Sequence, residues 1–279
     1  MTLYMTLAQY LKTVNSTSAV DAAEEQDIYD IIEEASRLLD QHTRRTLYER
    51  IETREYSPRS VQDDGQVYLR DLVLDESLLS TDPTILKSGA TDPVDGDYIQ
   101  LRPVNGAYAS VIRLIGEDSS WMDYYDSSLV PIQITGVWGY SLNSWYQVGV
   151  LSAGVDADDT TFQFSTSTGV EKFQTLRIGT EYVKVTGIST NNLIVERGVN
   201  GSTGAVHAIS TIVYAFKPAP MIRRAMKRII KWWAEQEKAP LMDVVQAGDV
   251  AIPVSTSKMP QDLKDMISTM RFASTFDKA

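Results

Sequence analysis

Pro218-Ala219-Pro220-Met221-Ile222-Arg223-Arg224-Ala225-Met226-Lys227-Arg228-Ile229-Ile230-Lys231-Trp232-Trp233 is the stretch on which the fold turns. Before it the apolar residues alternate at period two; after the prolines they recur at period 3.6. Ile222, Ala225, Met226, Ile229, Ile230 and Trp233 form one apolar face of a helix predicted over Met221 to Glu237. Arg223, Arg224, Lys227, Arg228 and Lys231 form a basic stripe on another face. Upstream, Thr175-Leu176-Arg177-Ile178, Glu181-Tyr182-Val183-Lys184-Val185, Asn192 to Arg197 and Thr211 to Tyr214 read as short strands.

Working outward, residues 147–215 are rich in Thr, Ser, Gly and Val and read as a small all-β module. Asn191-Asn192 is its expected two-residue hairpin turn, because Asn tolerates positive φ. Earlier strands are expected at Glu49 to Tyr56, Gln66 to Leu69, Leu72 to Leu74, Tyr98 to Leu101 and Val130 to Tyr140, with a corner at Arg70-Asp71. The N-terminus reads as a short helix ending near Val14, a break and possible cap at Asn15 to Ser18, and a longer helix from Ala19 to Thr43. That helix has an apolar stripe of Ile28, Ile31, Ile32, Ala35, Leu38 and Leu39 and an acidic outside. Gly248 to Pro253 reads as irregular, and Pro260 to Phe272 as a last short helix. The fold class is therefore α+β: helical terminal segments packed on a small antiparallel sheet, with an inserted all-β domain. Residues 1–146 and 216–279 make the body and 147–215 the insert.

Composition narrows the chemistry. The chain has 279 residues, 43% hydrophobic and 23% charged, close to ordinary globular values. It has no cysteine, which excludes disulfides, thiolate metal sites and a cysteine nucleophile. Two histidines, His42 and His207, leave little material for a metal site or a triad. The net charge of −11 disfavours wrapping nucleic acid over the whole surface, so anion binding must come from a local basic patch. The uncharged run Ser127 to Val155 is broken by Pro131, Gly136, Gly139 and Gly149 and reads as strands, not a membrane span. No basic residue precedes the apolar ones of Met1 to Tyr10, so no signal peptide is expected.

The order of elements resembles the head–tail connector (adaptor) proteins of long-tailed bacteriophages. The residues that carry it are Glu33-Glu34-Ala35-Ser36-Arg37-Leu38-Leu39-Asp40 with Thr43-Arg44-Arg45, then Ile134-Thr135-Gly136-Val137-Trp138-Gly139-Tyr140. Pro218-Ala219-Pro220 with Ile222-Arg223-Arg224-Ala225-Met226, and Pro260 followed by Met270-Arg271-Phe272, complete it. In such proteins the Gly-Val-Trp-Gly-Tyr strand runs almost directly into the Pro-led helix; here the β module intervenes. That module, through Gly179 to Val185, Val195 to Thr203 and His207, resembles a small β module of phage structural proteins.

The resemblance implies a structural virion protein and no enzyme. It implies a homo-oligomeric ring, typically of twelve subunits, below the portal at the head–tail junction, built in the host cytoplasm. The ring extends the DNA channel and docks stopper, tail-completion or tail-terminator proteins. Its expected partners are further copies of itself, the portal protein, those neck proteins, and genomic DNA passing without sequence-specific binding; no membrane and no cofactor are expected. Interface candidates are Arg223, Arg224, Lys227, Arg228, Lys231, Trp232, Met270, Arg271 and Phe272.

Each candidate also has a plainer reading. The basic stripe is a solvated helix face, a contact for an acidic neighbour, or a phosphate surface; a strong grip on DNA would stall its passage, which favours contact with another subunit or the portal. Trp232 is an interface aromatic or a half-buried cover. Gly198, Gly201 and Gly204 imitate a phosphate loop, but no Lys-Ser or Lys-Thr follows, so tight turns explain them. Asp156, Asp158 and Asp159 form an acidic turn without the rest of a calcium loop. His207 with Ser202 or Ser210 would be a triad only if geometry joined them. His42 at a helix end is explained by the helix dipole. Carboxylates Asp63, Asp64 and Asp92 to Asp97, with the aromatics Trp121, Tyr124, Tyr125, Trp145 and Tyr146, make a carbohydrate- or host-surface-binding tail or baseplate component the rival reading.

Overall fold

A computed structural model describes residues 2–16, 19–57, 66–73, 83–87, 90, 92–95, 97, 99–103, 108–115, 131–140, 142–164, 169–238, 244–247, 250–253 and 259–270. The chain is α+β. It divides into two compact units, one of Met1–Thr2 with Leu47–Phe216 and one of Leu3–Thr46 with Lys217–Ala279.

The second unit is helical. Helix α1 covers Leu7–Val14 and α2 Ala22–Thr43. α2 begins later than Ala19 because its cap is Asp21. The Asp21 carboxylate accepts from Ala23 N and Glu24 N at 2.9 Å each, and Glu24 reaches back to Asp21 N at 3.3 Å. This reciprocal pair satisfies N–H groups that a helix start leaves without partners. Asn15, expected near that cap, instead closes α1 in the left-handed region at φ 57; Thr17 and Ser18 lie outside the described residues.

The buried side of α2 is Tyr29, Ile32, Ala35, Ser36, Leu39 and Thr43, while Ile28, Ile31 and Leu38 are only half-buried. Two hydroxyls can sit in that stripe because each is satisfied locally. Ser36 Oγ donates to Ile32 O at 2.7 Å and Thr43 Oγ1 to Leu39 O at 2.8 Å.

Helix α3 covers Pro220–Lys238 and α4 Gln261–Met270. Proline is well suited to the first helical position, where its missing N–H has no partner to lose. α3 packs on α1, α2 and α4, and α2 touches α1 and α4. Residues read as irregular contain a hairpin instead: β13 (Val244–Ala247) pairs antiparallel with β14 (Val250–Pro253).

The first unit holds two six-stranded sheets. The first contains β1 (Arg50–Tyr56), β2 (Gln66–Val73), β3 (Thr84–Leu86), β4 (Ile99–Pro103), β5 (Tyr108–Leu114) and β6 (Ile132–Trp138). Its order is β1-β6-β2-β5-β4, with β3 also on β6, and its pairs are antiparallel. The corner expected at Arg70-Asp71 is a bulge between Tyr68 and Leu72 within one strand. β3 and β5 were not legible as strands. The core is Val67, Leu69, Leu72, Ile85, Val94, Ile112, Leu114, Ile132, Ile134 and Trp138. Trp138 can be fully buried because its indole N–H donates to Glu52 O at 2.9 Å.

The second sheet contains β7 (Ser144–Val150), β8 (Thr161–Gln163), β9 (Thr175–Ile178), β10 (Glu181–Ser189), β11 (Asn192–Glu196) and β12 (Ile212–Lys217), in the order β7-β12-β9-β10-β11-β8. Leu151 and Phe164, one residue past β7 and β8, form a bridge that brings the two edges together. The curl encloses its own core of Leu151, Phe162, Phe164, Leu176, Ile178, Val183, Val185, Leu193, Val195 and Val213. The β10–β11 turn is Thr190-Asn191, one residue earlier than expected, because Ser189 pairs with Asn192 and Thr190 takes the positive φ of 54.

Candidate interface surface

The helical unit presents the basic stripe as a surface. At about 100° per residue, Arg223, Lys227, Lys231, Arg224 and Arg228 fall within an arc of about 140° on α3. Ile222, Ala225, Met226, Ile229 and Ile230 face the other way and are buried. The five cations are not equivalent. Arg224, Lys227 and Lys231 are exposed, whereas Arg223 and Arg228 are half-buried. Arg228 is committed to α4: its Nε donates to Asp262 Oδ2 at 2.7 Å and its Nη2 to Oδ1 at 3.3 Å. That hydrogen-bonded partner holds Asp262 below its ordinary value and Arg228 above its own. The Nε of Arg223 is buried without a partner among the described residues.

Two features separate this stripe from ordinary helix decoration. α3 has no acidic residue in its first turn, and Arg223 and Arg224 follow directly, near the end where a helix dipole favours anions. Intrahelical electrostatics does not account for them. Among the described residues, no hydrogen bond or ion pair occupies Arg224, Lys227 or Lys231.

Trp232 borders the stripe and is half-buried. Trp233 instead lines a groove of about 290 Å³ with Tyr10, Ile31, Glu34, Ile230 and Ala234. Met270 is 1% exposed and its carbonyl accepts from Arg45 Nη1 at 3.0 Å, so its side chain belongs to the core of the unit. Arg271 and Phe272 lie outside the described residues.

Charge is divided between the units. The helical unit contains 15 basic and 15 acidic residues, and the β unit 11 basic and 22 acidic, so the net −11 belongs to the β unit. α2 supplies much of the negative charge of the helical unit, with Asp27, Asp30 and Glu34 exposed.

The second sheet holds a buried charge cluster that sequence reading did not assemble. Glu181 opens β10 with its side chain fully buried. Arg197 Nε donates to its Oε1 at 2.9 Å and Nη2 to Oε2 at 2.6 Å. Ala205 N donates at 3.1 Å and Gly198 N at 3.4 Å, and His207 Nε2 stands 2.7 Å from Oε2. Burial pushes this carboxyl up, but the hydrogen bonds from Arg197, His207 and Ala205 and the Arg197 charge outweigh burial and bring it to about 2. An ionised carboxylate only accepts, so the His207 Nε2 carries the proton it shares. Arg197 also donates to the carbonyls of Asp156, Asp159 and Ala205. The cluster pins three loops together and turns its charge inward. The only hint in the sequence was charge at either end of otherwise apolar strands.

The other candidates resolve into structure. Ser202 Oγ accepts from Tyr182 N at 2.9 Å and lies 2.9 Å from Val199 O, to which it donates, so it does not meet His207. Among the described residues no hydrogen bond joins the Ser210 hydroxyl to His207, whose Nε2 is taken by Glu181, so no triad forms. Asp159 Oδ2 accepts from Asp156 N at 2.8 Å, closing the acidic turn. Gly198 and Gly201 take φ 63 and 78. A side chain at Gly201 would run into the carbonyl of Ile51, and one at Gly204 would stand 2.7 Å from that of Ala157. These glycines serve close backbone approach.

Asp95 Oδ1 accepts from Asp97 N at 3.1 Å; Asp63, Asp64, Trp121, Tyr124 and Tyr125 lie outside the described residues. Trp145 is held between Tyr182 and Phe216 at 5.7 and 5.4 Å, with its N–H donated to Glu49 Oε2 at 2.8 Å, while Tyr146 is 40% exposed. His42 lies in the last turn of α2.

Among the described residues, no group of three or more His, Asp or Glu side chains could hold a metal ion. Likewise no helix among them is long and apolar enough to cross a membrane. Compared with known proteins, the chain matches no family model, no curated protein and no solved structure.

Proposed function

We propose that this chain is a non-enzymatic structural subunit of a bacteriophage head–tail connector. It assembles, in a ring of about twelve copies, beneath the portal at the neck of the virion. The ring extends the DNA channel and offers a platform to stopper or tail-completion proteins. Its work is shape and charge complementarity, with no cofactor and no sequence-specific grip on the passing DNA.

The observation that carries this reading is the exposed row Arg224, Lys227 and Lys231 on a helix whose opposite face closes the core. A cationic row beside a half-buried Trp232, with no hydrogen bond or ion pair to it among the described residues, suits a partner surface. The succession of a helical pair, a first sheet, a second sheet and a Pro-led helix follows the order on which the resemblance rests. The buried Glu181 cluster suits a rigid module and offers no exposed reacting group.

The test is imaging of the protein mixed with the portal of its own phage, together with labelling of assembled particles. A closed ring with rotational symmetry on the portal, and label at the neck, are expected. Absence from necks, or label at a baseplate or fibre tip, rejects the reading.

A further inference from the structure

We propose that the basic stripe of α3 seats on the acidic stripe of α2 of a second copy of this chain. The proposal deepens the connector reading, on which its biological setting rests, by naming the contact between neighbouring subunits.

The two stripes match in spacing and in sign. Arg224, Lys227 and Lys231 are separated by steps of three and four, and so are Asp27, Asp30 and Glu34. At 1.5 Å and 100° per residue, each set spans about 10.5 Å and stays within an arc of about 60°. All six residues are exposed. Asp30 Oδ1 accepts from Gln26 Nε2 at 2.9 Å and keeps its second oxygen. Among the described residues no ion pair joins one stripe to the other or occupies Asp27 or Glu34.

Within one chain the two stripes do not neutralise each other. α2 and α3 pack through buried residues such as Ile32, Leu39, Ala225 and Ile229. Although Glu34 borders the groove beside Trp233, all six stripe residues stay exposed and none pairs across the two helices among the described residues. DNA phosphates or an acidic portal surface would use the basic row alone and leave the acidic row unmatched. A second copy answers both rows with one contact. The two patches differ, so the contact is heterologous: each subunit gives one face and receives another, which closes into a ring when the rotation permits and otherwise runs on as a filament. Exposed charge pairs are weak singly, so the row supplies register and orientation, and its strength falls with salt.

The experiment uses the full chain in sedimentation velocity over a concentration series at low and high salt. One variant carries Arg224→Glu, Lys227→Glu and Lys231→Glu; a second carries Asp27→Lys, Asp30→Lys and Glu34→Lys; a third carries all six changes. Each single-stripe reversal is expected to weaken self-association at least about tenfold. Mixing the two opposite variants, and separately the six-fold variant, should restore assembly. Circular dichroism establishes that each variant is folded before it is scored, and single charge reversals at Lys227 and Asp30 replace any triple variant that fails to fold.

A wild-type chain that stays monomeric at high concentration and low salt overturns the proposal. So does assembly indifferent to both reversals, or loss in the α3 variant that neither the mixture nor the six-fold variant repairs. The last result would assign the basic row to a different partner. Charge-dependent self-assembly of a protein absent from phage necks would sink the connector reading and leave this contact standing.

Discussion

Arg197 meets Glu181 with two parallel hydrogen bonds, at 2.9 and 2.6 Å, and both side chains lie inside the second sheet. The pair ties the start of β10 to the residue that follows β11, and through the Arg197 contacts with Asp156 and Asp159 it also holds the turn before β8. Removing one partner leaves the other charge buried and unanswered. Glu181→Gln should therefore lose about 3–5 kcal/mol of stability, read by urea unfolding, and Arg197→Lys should not restore the two-pronged geometry.

The same carboxyl gives an acid limb to stability. Its value in the folded chain, about 2, lies below its ordinary 4.5. The contribution is full above pH 4.5 and disappears as pH falls toward about 2, because the unfolded chain takes up the proton first. Unfolding free energy measured across that window should decline in the wild type, and the part due to residue 181 should be missing in Glu181→Gln.

Gly201→Ala should destabilise the β unit by about 1–3 kcal/mol. The position takes φ +78, and a methyl there would run into the Ile51 carbonyl. Because Asn200 also donates to Glu49 O at 3.1 Å and to Thr2 Oγ1 at 2.8 Å, displacement of this turn should release those bonds too. Near-ultraviolet circular dichroism of Trp145, which bonds to Glu49, should follow the loss.

Asp21→Ala removes the carboxylate that receives Ala23 N and Glu24 N at the start of α2. A loss of about 1 kcal/mol is expected, with most of it recovered in Asp21→Ser. Thermal unfolding of the two variants side by side measures it.

On α3 the two faces should respond oppositely. Ile229→Ala, at a fully buried position, should lose about 2–5 kcal/mol. Arg224→Ala, Lys227→Ala and Lys231→Ala should each stay within about 0.5 kcal/mol of the wild type. Equal sensitivity of both faces to thermal unfolding would mean that the basic row serves the fold of the single chain.

Local periodicity carried much of the architecture. α3, α2 and strands such as Asn192–Glu196 announce themselves because burial on one face imposes a 3.6- or two-residue pattern inside one short window. Helix starts were less legible. Asp21 outcompeted the Asn15 to Ser18 break because a cap depends on which side chain meets the free N–H groups. β3, β5 and the β13–β14 hairpin escaped notice, since each acquires its pairing from a partner strand and not from its own pattern. Of the surface candidates, the row of cations was visible as spacing. That Arg228 is taken by Asp262, and that Met270 is internal, depended on α4 lying against α3.

The amino-acid order by itself determined the α+β class, the charged and apolar sides of the long helices, and the lack of any thiol chemistry, because these follow from composition and from residues a few positions apart. Only the tertiary structure decided which charges remain outward. It drew Glu181, Arg197 and His207 into one buried cluster and pressed Gly201 onto Ile51, while Arg224, Lys227 and Lys231 stayed exposed. The reason is that a buried charge must find its partners across long stretches of chain, and only folding sets those distances.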